Sequence, residues 1–230
     1  ADGKVLGEFY KENRSIANYS ELSPTLIDAL ISTEDIRFRS HSGIDVRSLF
    51  RAIFGVLTGR SSSGGASTLS QQLSKMLFTG KTSSGFGRIK QKLKEWVVAI
   101  ELEKRYSKNE IITMYLNRFD WINQAVGITS ASKIYFNVKP SNLNINQSAM
   151  LVGMLKNPSL YNPKRNPEGT LNRRNVVLSQ MMKYNKITRE EFDSLKTYSK
   201  QIIHDSVCHW SFIDKVEKKF LNRLQSVNKL

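Results

Sequence analysis

Three groups of residues in this sequence have the types and spacing for chemistry. The first is Glu34-Asp35-Ile36-Arg37-Phe38, followed by His41-Ser42-Gly43-Ile44-Asp45. It sets two adjacent carboxylates behind an apolar segment, beside an arginine, an aromatic ring and a histidine. A carboxylate against apolar walls can serve as a general acid or base, because burial disfavours the charged form. The same residues equally describe a charged cluster at a helix end, and their types alone do not choose between the two. The second group runs from Gly64 to Lys75, GGASTLSQQLSK. Its Gly-rich turn opens a helix whose first turn offers the hydroxyls of Ser67 and Thr68, then the amides of Gln71 and Gln72. Free backbone donors at such a start suit an anion, and Lys75 could reach a phosphate as a point charge. An ordinary capped helix with a solvated lysine has the same letters. The third group is Arg88, Lys92 and Glu95, spaced four and three apart and so on one helix face. On an open surface such a trio is a salt bridge worth about 0–1 kcal/mol; in a cleft it is a cationic surface flanking a carboxylate.

Other combinations lead nowhere. Gly80-Lys81-Thr82 resembles a phosphate loop, but Lys75 stands where that loop needs a glycine. Ser130-Ala131-Ser132-Lys133 has the Ser-x-x-Lys spacing of a transpeptidase nucleophile, without the downstream Ser-Asp-Asn or Lys-Thr-Gly partners. His41, His204 and His209 make no metal-ligand pattern. Cys208, the only cysteine, excludes an intrachain disulfide.

The elements that must position these groups read as mostly helical. Ser23-Pro24 opens a helix continuing through 26–33, with Ile27, Leu30 and Ile31 at helical spacing. Helices follow at 47–58 and 68–77, with Gly/Ser-rich stretches at 59–67 and 79–87 read as mobile loops. The span 88–106 carries an apolar stripe, Ile89, Leu93, Val97 and Ile100. Ser107 with Glu110, and Thr188 with Glu191, are capping boxes that start two more helices. Residues 146–156 and 170–184 are helical as well, and 212–224 forms an amphipathic, lysine-rich helix. A short hairpin at 4–10 is the one candidate for strand structure. There is no internal repeat.

Length and composition bound the rest. The 230 residues, 40% hydrophobic and 24% charged, suffice for one large domain or two small lobes with a true core. No run reaches the ~18 apolar residues needed to span a bilayer, and the start shows no apolar leader. Any membrane anchor is therefore expected outside this sequence. The net charge of +15 favours polyanionic partners. Nucleic acid, anionic lipid headgroups and pyrophosphate all satisfy that condition.

The order of the motifs is more specific than any one of them. EDIRF…HSGID (34–45), GASTLSQQLSK (65–75), KQKLKEWVVAIELE (90–103), RYSKNEIITMYLN (105–117) and RRNVVL (173–178) resemble the five ordered motifs of family 51 glycosyltransferases. These are the polymerase domains of class A penicillin-binding proteins and of monofunctional transglycosylases. The resemblance runs from about residue 6 to 195, and GITSASKIYF (127–136) and AMLVGMLKNPSLYNP (149–163) support it, in a style closer to the class A enzymes.

That resemblance implies a mainly α, lysozyme-like fold with a large head lobe and a small membrane-associated jaw lobe at about 42–66. The glycosyltransferase domain would occupy 1–199, and 200–230 would be a linker or tail helix. It implies inverting polymerisation of lipid II into a growing glycan strand, with release of undecaprenyl pyrophosphate, at the outer (periplasmic) face of the cytoplasmic membrane. Glu34 matches the general base and Glu95 the second glutamate, which assists departure of the pyrophosphate directly or through a divalent cation, magnesium or manganese; no cofactor is obligatory. Lys75 and Lys92 match the cations on the donor pyrophosphate, and Arg88, with Lys81 as its alternative, matches an upstream arginine. Arg37 and Phe38 match acceptor-side residues beside the base, and Ser67, Gln71 and Gln72 match the polar lining of the second motif. Asp35, His41, Thr68 and Asn117 are expected to bind substrate with them; Asn117 belongs to the fourth motif, as Arg173 and Arg174 do to the fifth, where the role is partly structural. Met76 and Gln91 depart from the asparagine and arginine usual there. The phosphoglycolipid moenomycin is the inhibitor expected to bind the donor site. The segment 47–58, with Phe50, Ile53, Phe54, Val56 and Leu57 beside Arg47 and Arg51, reads independently as interfacial, although a short buried core helix has the same pattern.

Two other classes compete. A lysozyme-like hydrolase or lytic transglycosylase would share the fold and one glutamate but needs no cationic helix face. A nucleic-acid-binding module would use the charge, yet the basic residues are dispersed and no reading motif accompanies them, so nucleic acid is not an expected partner. Lipid II turnover separates all three.

Overall fold

A computed structural model describes residues 16–58, 67–78 and 85–197. Those residues are mainly α, with no strand among them beyond an isolated antiparallel bridge between Asp120 and Val126. The helices in chain order are α1 (Pro24–Glu34), α2 (Val46–Leu57), α3 (Leu69–Phe78), α4 (Gly85–Arg105), α5 (Lys108–Arg118), α6 (Ile128–Phe136), α7 (Ile145–Met154), α8 (Pro167–Lys183) and α9 (Arg189–Thr197). The hairpin expected at 4–10, the loop residues 59–66 and 79–84, and the tail helix at 212–224 lie outside the described residues.

Local chemistry explains most helix ends. At α5, Glu110 N–H donates to Ser107 Oγ at 3.3 Å, while Ser107 N–H donates back to Glu110 Oε2 at 2.8 Å. Thr188 and Glu191 make the same reciprocal pair before α9. Other ends differ from expectation. Helix α8 begins three residues ahead of position 170, because Asn166 Oδ1 accepts from Gly169 N–H at 3.0 Å and Pro167 takes the first-turn position that lacks a donor requirement. Helix α4 begins at Gly85 rather than 88, carrying Gly85 and Gly87 inside it. Ser23 is the N-cap residue of α1 as expected, but its hydroxyl donates to the Leu143 carbonyl at 2.8 Å instead of to the helix, tying the start of α1 to the loop before α7. Helix α6 had no prior assignment, since its short run ITSASKIYF mixes β-branched and aromatic residues.

Packing puts α7 at the centre. Every residue from Ser148 to Met154 is buried, between α1 (Leu26, Ala29, Leu30) and α8 (Val177, Leu178, Met181). Trp121 closes one end of this core, its indole N–H donating to the Leu151 carbonyl at 3.0 Å. Helix α5 lays Ile111, Ile112, Tyr115 and Leu116 against α3. Helix α4 turns its other face inward: Glu95, Ala99 and Leu102 are buried, whereas Ile89, Leu93 and Val97 are 62%, 54% and 67% exposed. The apolar stripe seen in the sequence thus lies outside the core. Phe50 and Phe54 on α2 are likewise each 68% exposed, so these two side chains do not follow the core-helix pattern.

Candidate active site

A cleft of about 950 Å³ opens between these helices. Glu34, the last residue of α1, stands on one wall with Tyr115 and Phe119; Arg88, Gln91, Lys92 and Glu95 of α4 stand on another. Ser67, Gln71, Gln72, Lys75 and Met76 line it from α3 and its approach, and Leu155 and Lys156 from the end of α7. Glutamates about sixty positions apart in the sequence therefore share one cavity with Lys75, Arg88 and Lys92, whereas Lys90 and Lys94 of the third motif line a separate pocket.

Glu34 is held by tertiary contacts. The Gln72 amide nitrogen donates to its Oε2 at 3.0 Å, and the Tyr115 hydroxyl donates to Gln72 Oε1 at 3.0 Å. Burial, and secondarily the charge of Glu34, push the Tyr115 hydroxyl well above its ordinary range, so it stays protonated. On the other side, an Arg173 nitrogen lies 3.9 Å from Glu34 Oε1. Arg173 reaches there by crossing Gly153 of α7, where any side chain would press on it: a β-carbon at 153 would sit 3.2 Å from its Cγ.

Glu95 is held within its own helix. Lys92 Nζ donates to Oε2 at 2.9 Å and the Gln91 amide nitrogen to Oε1 at 3.3 Å. Lys92 Nζ also donates to Ser67 Oγ at 2.9 Å, which joins the α3 approach to the α4 wall. Glu95 is 4% exposed, so its contacts are screened far less than those of a surface pair. Gln71 is buried as well, and its Oε1 has no hydrogen-bond partner among the described residues.

The remaining sequence-selected residues lie outside the cleft lining and build its frame. Asp35 is buried; its Oδ2 accepts from Leu69 N–H at 3.1 Å, so it caps α3 from a distance, and it pairs with His41 Nε2 at 2.9 Å. The Thr68 hydroxyl accepts from Gln71 N–H at 3.2 Å and donates to the Gly43 carbonyl at 2.6 Å. Phe38 is wholly buried, edge-on to His41, with Lys108 Nζ 4.4 Å from its ring centre. Arg37 clasps Asp45 with contacts of 2.7 to 3.0 Å. Burial would raise the Asp45 carboxyl, but hydrogen bonds from Ser48 and Arg37 outweigh it and hold the group at about 2. Asn117 brackets the Ala17 backbone, accepting from its N–H at 3.0 Å and donating to its carbonyl at 2.8 Å.

Sequence reasoning passed over four lining residues, Tyr115, Phe119, Leu155 and Lys156. Lys156 ends an apolar helix just before Asn157-Pro158, a cation placed where the chain must leave the core, and that was the available signal.

The transglycosylase family model covers residues 2–182, and the chain belongs to that family, the peptidoglycan glycosyltransferases. Among curated relatives, it is 36% identical to penicillin-binding protein 1A of Vibrio cholerae serotype O1 over 195 residues, and 34% identical to penicillin-binding protein 1A of Escherichia coli K12 over 197 residues. Penicillin-binding protein 2a of Streptococcus pneumoniae is 40% identical over 179 residues. These alignments take in 85%, 86% and 78% of this chain but only 23% of each relative, so the chain spans about a quarter of their length.

Proposed function

We propose that this cleft polymerises lipid II by inverting glycosyl transfer from a growing glycan strand. The observation that carries the reading is the shared cavity: Glu34 and Glu95 line one cleft with Lys75, Arg88 and Lys92. In the reaction, the 4-hydroxyl of lipid II attacks the anomeric carbon of the strand's terminal sugar. Glu34 takes the hydroxyl proton through the oxygen that Gln72 leaves open. The bond from that carbon to the pyrophosphate oxygen breaks, and undecaprenyl pyrophosphate leaves with the bonding electrons. Charge develops on the leaving group, where fixed cations stabilise it most. Glu95 contributes by holding Lys92 in place, which aims one of those cations into the cleft. A neutral-sugar hydrolase has no use for that arrangement.

Glu95 would be the protein ligand of a divalent cation shared with the substrate's pyrophosphate; as the cleft stands, its two oxygens accept from Lys92 and Gln91. The charge neutralisation is assigned to the chain's own lysines and Arg88.

The substrate is a lipid, so the reaction belongs at the outer face of the cytoplasmic membrane. The exposed Phe50 and Phe54, beside Arg47 and Arg51, suit insertion among anionic headgroups. No helix among the described residues is long and apolar enough to cross a bilayer. Moenomycin, a phosphoglycolipid, would occupy the cationic side of the cleft.

Polymerisation of fluorescent lipid II in detergent tests the reading, comparing the wild type with Glu34→Gln. Loss of a general base lowers turnover by about 10²–10⁴-fold, so glycan strands should vanish in a variant that still folds and binds moenomycin. Strands formed by Glu34→Gln at the wild-type rate would refute the assignment.

A further inference from the structure

Gln72 presents two chemically opposite ends, a carbonyl oxygen that accepts and an amide group that donates. With its carbonyl toward Glu34, two acceptors would face each other; with its amide there, the carboxylate gains a donor. Something must fix the choice, and it sits at the far end of the same side chain. Tyr115 on α5 is 1% exposed, and its hydroxyl lies 3.0 Å from Gln72 Oε1. The hydroxyl stays protonated, for the reason of burial given above, so it always has a proton to offer, and the carbonyl end of Gln72 is the end that can take it. The chain of donors therefore runs one way, from Tyr115 to Gln72 to Glu34 Oε2, across α5, α3 and the end of α1. Arg173, 3.9 Å from Oε1, is too far for a hydrogen bond and leaves that oxygen's lone pairs uncommitted.

We propose that Tyr115 is a positioning residue for the base: its hydroxyl fixes the Gln72 carboxamide amide-end toward Glu34, which occupies Oε2 and leaves Oε1 as the oxygen that takes the acceptor's proton. This rests on the assignment of Glu34 as base and extends it to a residue that does not itself touch the reacting atoms. Removing the hydroxyl lets the carboxamide turn over, and the carboxylate loses its fixed orientation. Misplacement of a catalytic group on this scale costs about 10-fold or more in rate without altering the binding contacts.

The test is a double-mutant cycle on the full chain, reading kcat and KM for lipid II in the wild type, Tyr115→Phe, Gln72→Met and the double variant, with Glu34→Gln alongside. Tyr115→Phe should lower kcat about 10-fold and leave KM within about 2-fold. The double variant should be no slower than Gln72→Met alone, because Tyr115 acts only through Gln72. Losses that multiply in the double variant, or a wild-type kcat in Tyr115→Phe, overturn the proposal. If Tyr115→Phe does not fold, Gln72→Met is read alone: it removes the donor to Glu34 Oε2, so kcat should fall about 10-fold, and an unchanged kcat overturns the proposal. An inactive Glu34→Gln with a multiplicative cycle sinks this inference alone. An active Glu34→Gln sinks the base assignment and this inference together.

Discussion

On one wall of the cleft, Glu34 takes its hydrogen bond from Gln72, 38 positions away, and faces an arginine from α8. On the other, Glu95 takes its partners from Lys92 and Gln91, three and four positions earlier on its own helix. The first arrangement uses a neutral donor and leaves one oxygen uncommitted, which suits a group that must accept a proton. The second commits both oxygens, one of them to a cation, which suits a group whose task is to hold a charge still. Two glutamates of identical chemistry thus sit in different surroundings, set by how far away their partners lie. The walls meet at Gly43, whose carbonyl accepts from Thr68 while its backbone lies against Ala99 and Ile100 of α4.

If the walls divide the labour this way, their variants should separate cleanly. Lys92→Met removes the cation that Glu95 holds, and loss of one fixed donor to a developing charge lowers turnover by about 10²–10³-fold. It should also weaken moenomycin binding, whereas Glu34→Gln abolishes turnover and leaves moenomycin affinity nearly intact. A thermal-shift titration of both variants checks this; the reverse pattern would break the comparison. A smaller effect is expected at the junction. Gly43 has φ of +94°, and a β-carbon there would lie 2.8 Å from the Ala99 carbonyl oxygen. Gly43→Ala should therefore destabilise the protein by about 1–3 kcal/mol, read from urea denaturation, and should lower activity on both walls together. An alanine variant as stable as wild type would show that the junction is loose. The smallest effect on stability belongs to the exposed apolar surface. Replacing Phe50 and Phe54 together by serine removes no core contact, so stability should change by less than about 0.5 kcal/mol. Sedimentation with anionic vesicles should nevertheless fall several-fold, and undiminished vesicle binding would detach α2 from the membrane role.

The donor wall was legible in advance because its partners are local. Helical spacing alone brings Arg88, Lys92 and Glu95 to one face, and the structure places all three in the cleft. The capping boxes at Ser107 and Thr188 were legible for the same reason: each is closed within four residues. The outward-facing stripe of α4 shows the limit of that reasoning. Period tells that Ile89, Leu93 and Val97 share a face, and says nothing about what covers it. The base wall was hidden more thoroughly. Asp35, Phe38, His41 and Thr68 stood out by type and Asn117 by its motif; what the sequence could not show is that Asp35 caps α3, Phe38 is buried in the core, and Thr68 and Asn117 bond to distant backbone. Tyr115 was not singled out in the sequence, and its hydroxyl lies two hydrogen bonds from Glu34.

By itself, the sequence determined the helical content, the family, the cationic face around Glu95 and the candidacy of Glu34. Those depend on contacts within a turn or two, or on the order of motifs, and both survive in one dimension. Only the tertiary structure decided that the two glutamates share a cavity, that Gln72 and Arg173 flank the base, and that Tyr115 and Lys156 belong with them. Such contacts join helices far apart in the chain, and their geometry is set by how α1 and α8 pack against the buried α7 and α5 packs against α3, which no local pattern records.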